Sequence, residues 1–214
     1  MRWFRLLPEA LEYYLGLDKE PFVTYGANTA PESILYRAVA ALDSGDALYS
    51  ALDSLPAPIY VTDTDGLIIY FNPACIDFAG RKPQVGLDRW CVTWKLFTDE
   101  GAFLPHAECP MATAIKTARP VRGVSAVAER PDGTRVTFMP YPTPLFAPDG
   151  SLRSSVNMLI DITEKRQSAA LREQAARCRR LMRSIANRDT VETLALLAEE
   201  YETKALLLDA GKSP

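Results

Sequence analysis

The chain has 214 residues, 48% hydrophobic and 24% charged, which suffices for one core of the usual ~100–150 residues with flanking helices and falls short of several domains. A formal charge of -3 gives no overall pull toward nucleic acid, and no run approaches the ~20 apolar residues of a membrane span. Cys75, Cys91, Cys109 and Cys178 show no CxxC spacing, which argues against a zinc knuckle or a disulfide framework and fits a reducing, cytoplasmic setting.

Residues 1–53 read as a helical extension. Pro8 and two acids start a short helix with Leu11, Tyr14 and Leu15 on one face. Thr29, Pro31 and Glu32 open a second, with Ile34, Leu35, Ala38, Val39 and Leu42 apolar. A third, over 47–55, presents Leu48, Ala51, Leu52 and Leu55 until Pro56 and Pro58 stop it.

The period then changes. PIYVTDTDGLIIYFN is two β-rich runs about Asp65-Gly66, a hairpin signal. In NPACIDFAG, Asn72 is expected to cap a short helix that Pro73 begins and Gly80 closes. Residues 81–105 lack a period and are expected to wrap over the core, bringing Trp90, Cys91, Trp94, Leu96 and Phe97. ECPMATAIKTARP reads as a helix with Met111, Ala114 and Ile115 inward and Pro120 as its stop. Three strands follow, VRGVSAVAER, TRVTFMPYPTPLF and LRSSVNMLIDIT, joined at Asp132-Gly133 and Asp149-Gly150. The expected class is α+β, an antiparallel sheet with helices on one face.

The segment from Ile59 to Ala74 with Gly80, the run RPDGTRVTFMPYPTPLFAPDG, and the junction VNMLIDITEKR resemble the opening and closing motifs of the PAS family. The resemblance spans residues 54–163, about half the chain, and implies a five-stranded antiparallel sheet cupping a cavity, with a signalling helix after the Asp-Ile-Thr junction. It leaves open whether the cavity holds a small molecule, a cofactor or nothing.

Trp90, Trp94, Phe97, Met111, Phe138 and Tyr141 are the candidates to line such a pocket, with Asn157 as the polar group that holds a ligand if its face points inward. Core filling by the same aromatics is the plainer alternative. Asp161 and Thr163 stand where side-chain oxygens cap a following helix, which makes them the expected transmission point. His106 and Cys109, in LPHAECPMA, offer an imidazole and a thiol three residues apart, and a haem-binding gas or redox sensor is the alternative they raise. Flavin photochemistry needs a cysteine in an Asn-Cys-Arg-Phe-type motif, whereas Cys75 stands in Asn-Pro-Ala-Cys and reads as a small core residue.

Residues 164–214 read as a helical hairpin. Leu171, Ala175, Cys178, Met182 and Ile185 advance with a coiled-coil stride. The first helix is basic and the second acidic, so an antiparallel arrangement pairs opposite charges. The two-helix tail resembles the dimerising hairpin of sensor histidine kinases, but no histidine follows His106, so a phosphoacceptor is missing and a kinase is not expected. No nucleophile, base and acid are brought together by any recognisable motif. The expectation is a non-catalytic sensor or adaptor without a cofactor, a homodimer that signals to a partner protein, with no membrane or nucleic-acid role.

Overall fold

The computed structural model describes residues 52–211; the helices expected at 8–17 and 34–42, and all but the last residues of the extension, lie outside the described residues. Two compact units divide the chain, one ending at Ile160 and the other beginning at Asp161.

The first unit is built on β1 (Ile59–Thr62), β2 (Ile68–Phe71), α1 (Ala74–Ala79), β3 (Lys95–Phe97), β4 (Phe103–Leu104), α2 (Pro110–Thr117), β5 (Ala126–Glu129), β6 (Arg135–Pro140), β7 (Thr143–Phe146) and β8 (Leu152–Asp161). The eight strands form one antiparallel sheet in the order β2-β1-β8-β6-β5-β3-β4, with β7 also paired to β8. The expected α+β architecture stands, with more strands than the five implied. The run TRVTFMPYPTPLF is divided between β6 and β7 at Tyr141-Pro142. In the stretch without a period, β3 and β4 are three and two residues long, too short for an alternation to register.

Alternation along β1 divides the core in two. Tyr60 joins Ile68, Phe78, Met111, Ala112, Phe138 and Leu159 in an inner cluster under α1 and α2. Ile59 and Val61 face the other way, with Val156, Met158 and Leu145. That outer cluster includes Leu52 and Leu55, both buried, the two described members of the apolar face expected over 47–55.

Each expected hairpin turn has its glycine at positive φ, Gly66 at 81°, Gly133 at 86° and Gly150 at 82°. Gly80, at φ 62°, closes α1. The expected Asn72 cap is not formed: Pro73 holds the N-cap position and α1 has no side-chain cap bond. The fully buried Asn72 carboxamide turns backward instead, accepting from Ile59 N at 2.9 Å and donating to the carbonyls of Ala57 at 2.8 Å and Leu52 at 3.2 Å. Leu52 and Ala57 precede the sheet and Ile59 opens β1, and these backbone groups compete with the helix end for the amide.

In the second unit, α3 (Thr163–Met182) and α4 (Arg188–Asp209) pair as an antiparallel hairpin. Arg172 bonds Asp209 and Arg179 bonds Glu202, the partner's number falling as the arginine's rises. These exposed pairs set orientation more than stability. The seam is made by small side chains, Ala175 and Cys178 against Ala198, flanked by Leu194 and Tyr201. Ala175 and Cys178, two of the five positions of the coiled-coil stride, thus pack within the chain. Asn187 caps α4, its Oδ1 accepting from Thr190 N at 2.9 Å.

Candidate functional site

The inner face of the first unit carries a chain of hydrogen bonds that crosses four segments. Asn157, buried on β8, accepts from Tyr141 N at 2.9 Å and donates through Nδ2 to the Tyr60 hydroxyl at 2.9 Å. Tyr60, fully buried on β1, donates in turn to the Trp90 carbonyl at 2.9 Å. The Cys109 thiol, at the entry to α2, approaches the same carbonyl at 3.9 Å. In this low-dielectric interior each bond reinforces the next, and loss of any one strands its neighbours.

Trp90 holds its place against its own backbone preference. Its φ is 68°, a conformation that costs a residue with a side chain ~1–2 kcal/mol. Two contacts with the β1–β2 turn compensate: Trp90 N donates to Gly66 O at 2.7 Å, and its ring lies so close over Gly66 that a Cβ there would be 2.3 Å from it.

Of the residues expected to line a pocket, Met111 and Phe138 are buried in the inner cluster, Trp90 packs against it, and Asn157 faces the same side. The other three stand elsewhere. Trp94 is 52% exposed. Phe97 alternates with the buried Leu96 and so faces outward, its ring 6.0 Å from Phe103 and 4.4 Å from the Arg135 guanidinium. Tyr141 packs against the outer cluster under the Arg122 guanidinium, 5.5 Å away. Both ends of the Asn157 amide are already engaged by protein, so its first role is to tie β8 to β1.

Tyr60 is the residue that sequence reasoning missed. Its signal was present: alternation in PIYVTD sets Tyr60 opposite to Ile59 and Val61, and a phenol turned into a core must find a partner.

Cys75, Cys91 and Cys109 are buried free thiols. Cys75 donates to Ile59 O at 3.3 Å, and burial pushes its ionisation far up. Burial also raises Cys91, which accepts from the Thr93 hydroxyl at 3.2 Å, and pushes Cys109 to about 12. Tyr60 is shifted upward too, again chiefly by burial. A thiol's ordinary value is 9.0, so the unfolded chain releases protons that the folded one retains. Stability is therefore complete below about pH 9 and declines as pH rises toward 12, by about 1.4 kcal/mol per pH unit for each such thiol. Urea unfolding from pH 7 to 11 measures this, and a profile flat above pH 9 would contradict it.

His106 begins a short 3-10 turn, His106–Glu108, with Nε2 buried and unpartnered. Burial lowers its ionisation, Arg81 lowers it further, and Asp88 opposes them. A haem held through Cys109 does not fit this arrangement. An axial thiolate would need Cys109 to ionise where burial holds its proton, and the sulfur is packed in the inner cluster beside Met111 and Ala112. Among the described residues no cluster of three or more His, Cys, Asp or Glu is arranged to hold a metal ion.

At the end of β8, Asp161 Oδ1 accepts from Thr163 N at 2.8 Å. Thr163 is the first residue of α3, and the carboxylate satisfies one of the free N–H groups of that helix start. Among the described residues no helix is long and apolar enough to cross a membrane.

A family model described as PAS fold matches residues 52–167. No curated protein matches the chain. Solved structures do. The LOV domain of a blue-light activated histidine kinase from Erythrobacter litoralis is 24% identical over 50% of this chain and 97% of its own, with a TM-score of 0.40. A Rhodobacter sphaeroides LOV protein is 16% identical over 86% of this chain and 98% of its own, at 0.43. The PAS domain of the fruit-fly ELK potassium channel is 11% identical over 57% and 97%, at 0.45. With TM-scores this low, the assignment rests on the family match across 52–167.

Proposed function

Since the chain belongs to the PAS-fold family, whose domains are sensors of signal transduction, we propose that it acts as a non-catalytic sensor or adaptor. A ligand or protein bound by the domain alters the inner face, and the change passes through the flanking helices to a signalling partner. The chain works as a homodimer in the cytoplasm, without a cofactor.

The supporting observation is the course of β8. One strand carries Asn157, which anchors the interior hydrogen-bond chain, and four residues later Asp161, which holds the start of α3. A β-strand is stiff along its length, so a shift at Asn157 has a short path to the helix.

Asp161→Ala tests the junction. The side chain is exposed, and losing one helix-start bond costs ~1 kcal/mol, so the domain stays folded. Hydrogen exchange at the first turn of α3 should quicken and the response to a partner or ligand should fall, while a variant matching wild type in both would contradict the proposal. Size-exclusion chromatography with light scattering is expected to give a dimer, and a strict monomer would count against the dimeric part.

A further inference from the structure

Two buried hydroxyls on the sheet have no partner. Thr62 on β1 and Ser155 on β8 are both fully buried. They stand directly opposite each other in the β1–β8 register. Among the described residues neither Oγ has a hydrogen-bond partner. Alternation puts them on the inner face, two residues along from the opposed pair Tyr60 and Asn157.

An unpaired buried hydroxyl costs ~1–3 kcal/mol, and folded proteins leave few of them. Here two of them face each other, with Cβ atoms ~4.5–5.5 Å apart as in any cross-strand pair, a separation that one oxygen or one amide group can bridge. A valine and an alanine would fill nearly the same space without this penalty.

We infer that Thr62 and Ser155 form a polar seat for a small uncharged molecule bearing a hydroxyl or a primary amide, its apolar remainder turned toward the inner cluster. This rests on the reading of the domain as a ligand-responsive sensor and names the class of ligand. Neutrality follows from the surroundings. The buried polar residues of the described chain are Thr, Asn and Ser alone, so no buried side chain offers a countercharge, and an ionised ligand would be desolvated without compensation. The bridging geometry selects the polar group: each Oγ can donate and accept, and a hydroxyl or amide can do both in return.

The test uses the full chain with pentanol, pentanamide and pentanoate as probes, read by calorimetric titration and thermal shift at neutral pH. The two neutral probes should bind and raise the melting temperature, and pentanoate should not. Thr62→Val with Ser155→Ala should weaken the neutral probes about ten-fold or more, the loss of roughly one hydrogen bond, while the probe-free variant melts above wild type. If the double variant fails to fold, each single variant should still weaken binding several-fold. Neutral probes without effect on wild type, undiminished binding in the variants, or preference for pentanoate would each overturn the inference. A more stable variant with no probe binding to wild type would leave the pair as a seat for water and also overturn it. Those outcomes leave the sensor reading standing as long as coupling between the inner face and α3 persists, which is measured separately.

Discussion

Replacing Gly66 with alanine is expected to destabilise the first unit by about 3 kcal/mol, summing ~1–2 kcal/mol for a side chain at positive φ and ~1–3 kcal/mol for overpacking. Gly66 sits at φ 81°, and a Cβ there would stand 2.3, 2.4 and 2.6 Å from three atoms of the Trp90 ring. The ring is part of a rigid residue whose own φ is 68°, so it has no easy retreat. Moving it also moves the carbonyl that accepts from Tyr60. Urea unfolding of Gly66→Ala should show the lost stability, and tryptophan fluorescence a more solvated environment in the native baseline. A loss under 1 kcal/mol with an unchanged spectrum would mean that the turn and Trp90 are not held against each other.

Asn72→Ala should cost about as much, roughly 3 kcal/mol, for a different reason. Asn72 is fully buried and its amide joins Ile59 N to the carbonyls of Ala57 and Leu52. Alanine leaves a buried N–H and at least one buried carbonyl unpaired, at ~1–3 kcal/mol each. The loss should appear as faster hydrogen exchange at Ile59 with an unchanged α1, because the side chain does not cap that helix. Asn72→Asp separates the two roles. It keeps the acceptor for Ile59 N but removes the donor, and it places a charge in a buried site, so it should be at least as damaging as alanine. A helix-capping residue would tolerate aspartate, and tolerance here would contradict the backward-turned arrangement.

The turns and long elements were legible in the sequence because their signals are local. Asp65-Gly66, Asp132-Gly133 and Asp149-Gly150 name hairpins through the φ that glycine permits, and α2 is marked by Pro110 at its first turn and Met111, Ala114 and Ile115 inward. The charge split between α3 and α4 anticipated an antiparallel pair, now seen in Arg172 with Asp209 and Arg179 with Glu202. The candidate site was legible only in part, because aromaticity does not say which way a side chain faces. Trp90, Met111 and Phe138 meet at the inner face, whereas Phe97 and Tyr141 fall on the other side of the strand period and Trp94 lies in solvent. Asn72 misled for a related reason. An Asn-Pro pair before a helix has the chemistry of a cap, but backbone groups of residues 52–59, brought to Asn72 only by the pairing of β1 with β2, compete for the same amide, and that competition is invisible in a local reading. Tyr60 could have been found from period alone. The unpaired hydroxyls of Thr62 and Ser155 could not, since they depend on a register between residues almost a hundred positions apart.

The most direct test of transmission from the inner face to the helices is hydrogen exchange on the full chain carrying Tyr60→Phe, which deletes only the hydroxyl between Asn157 and Trp90. The account predicts faster exchange along β8 and in the first turn of α3 as well as around Trp90. Faster exchange confined to β1 and the Trp90 segment, with α3 matching wild type, would contradict it.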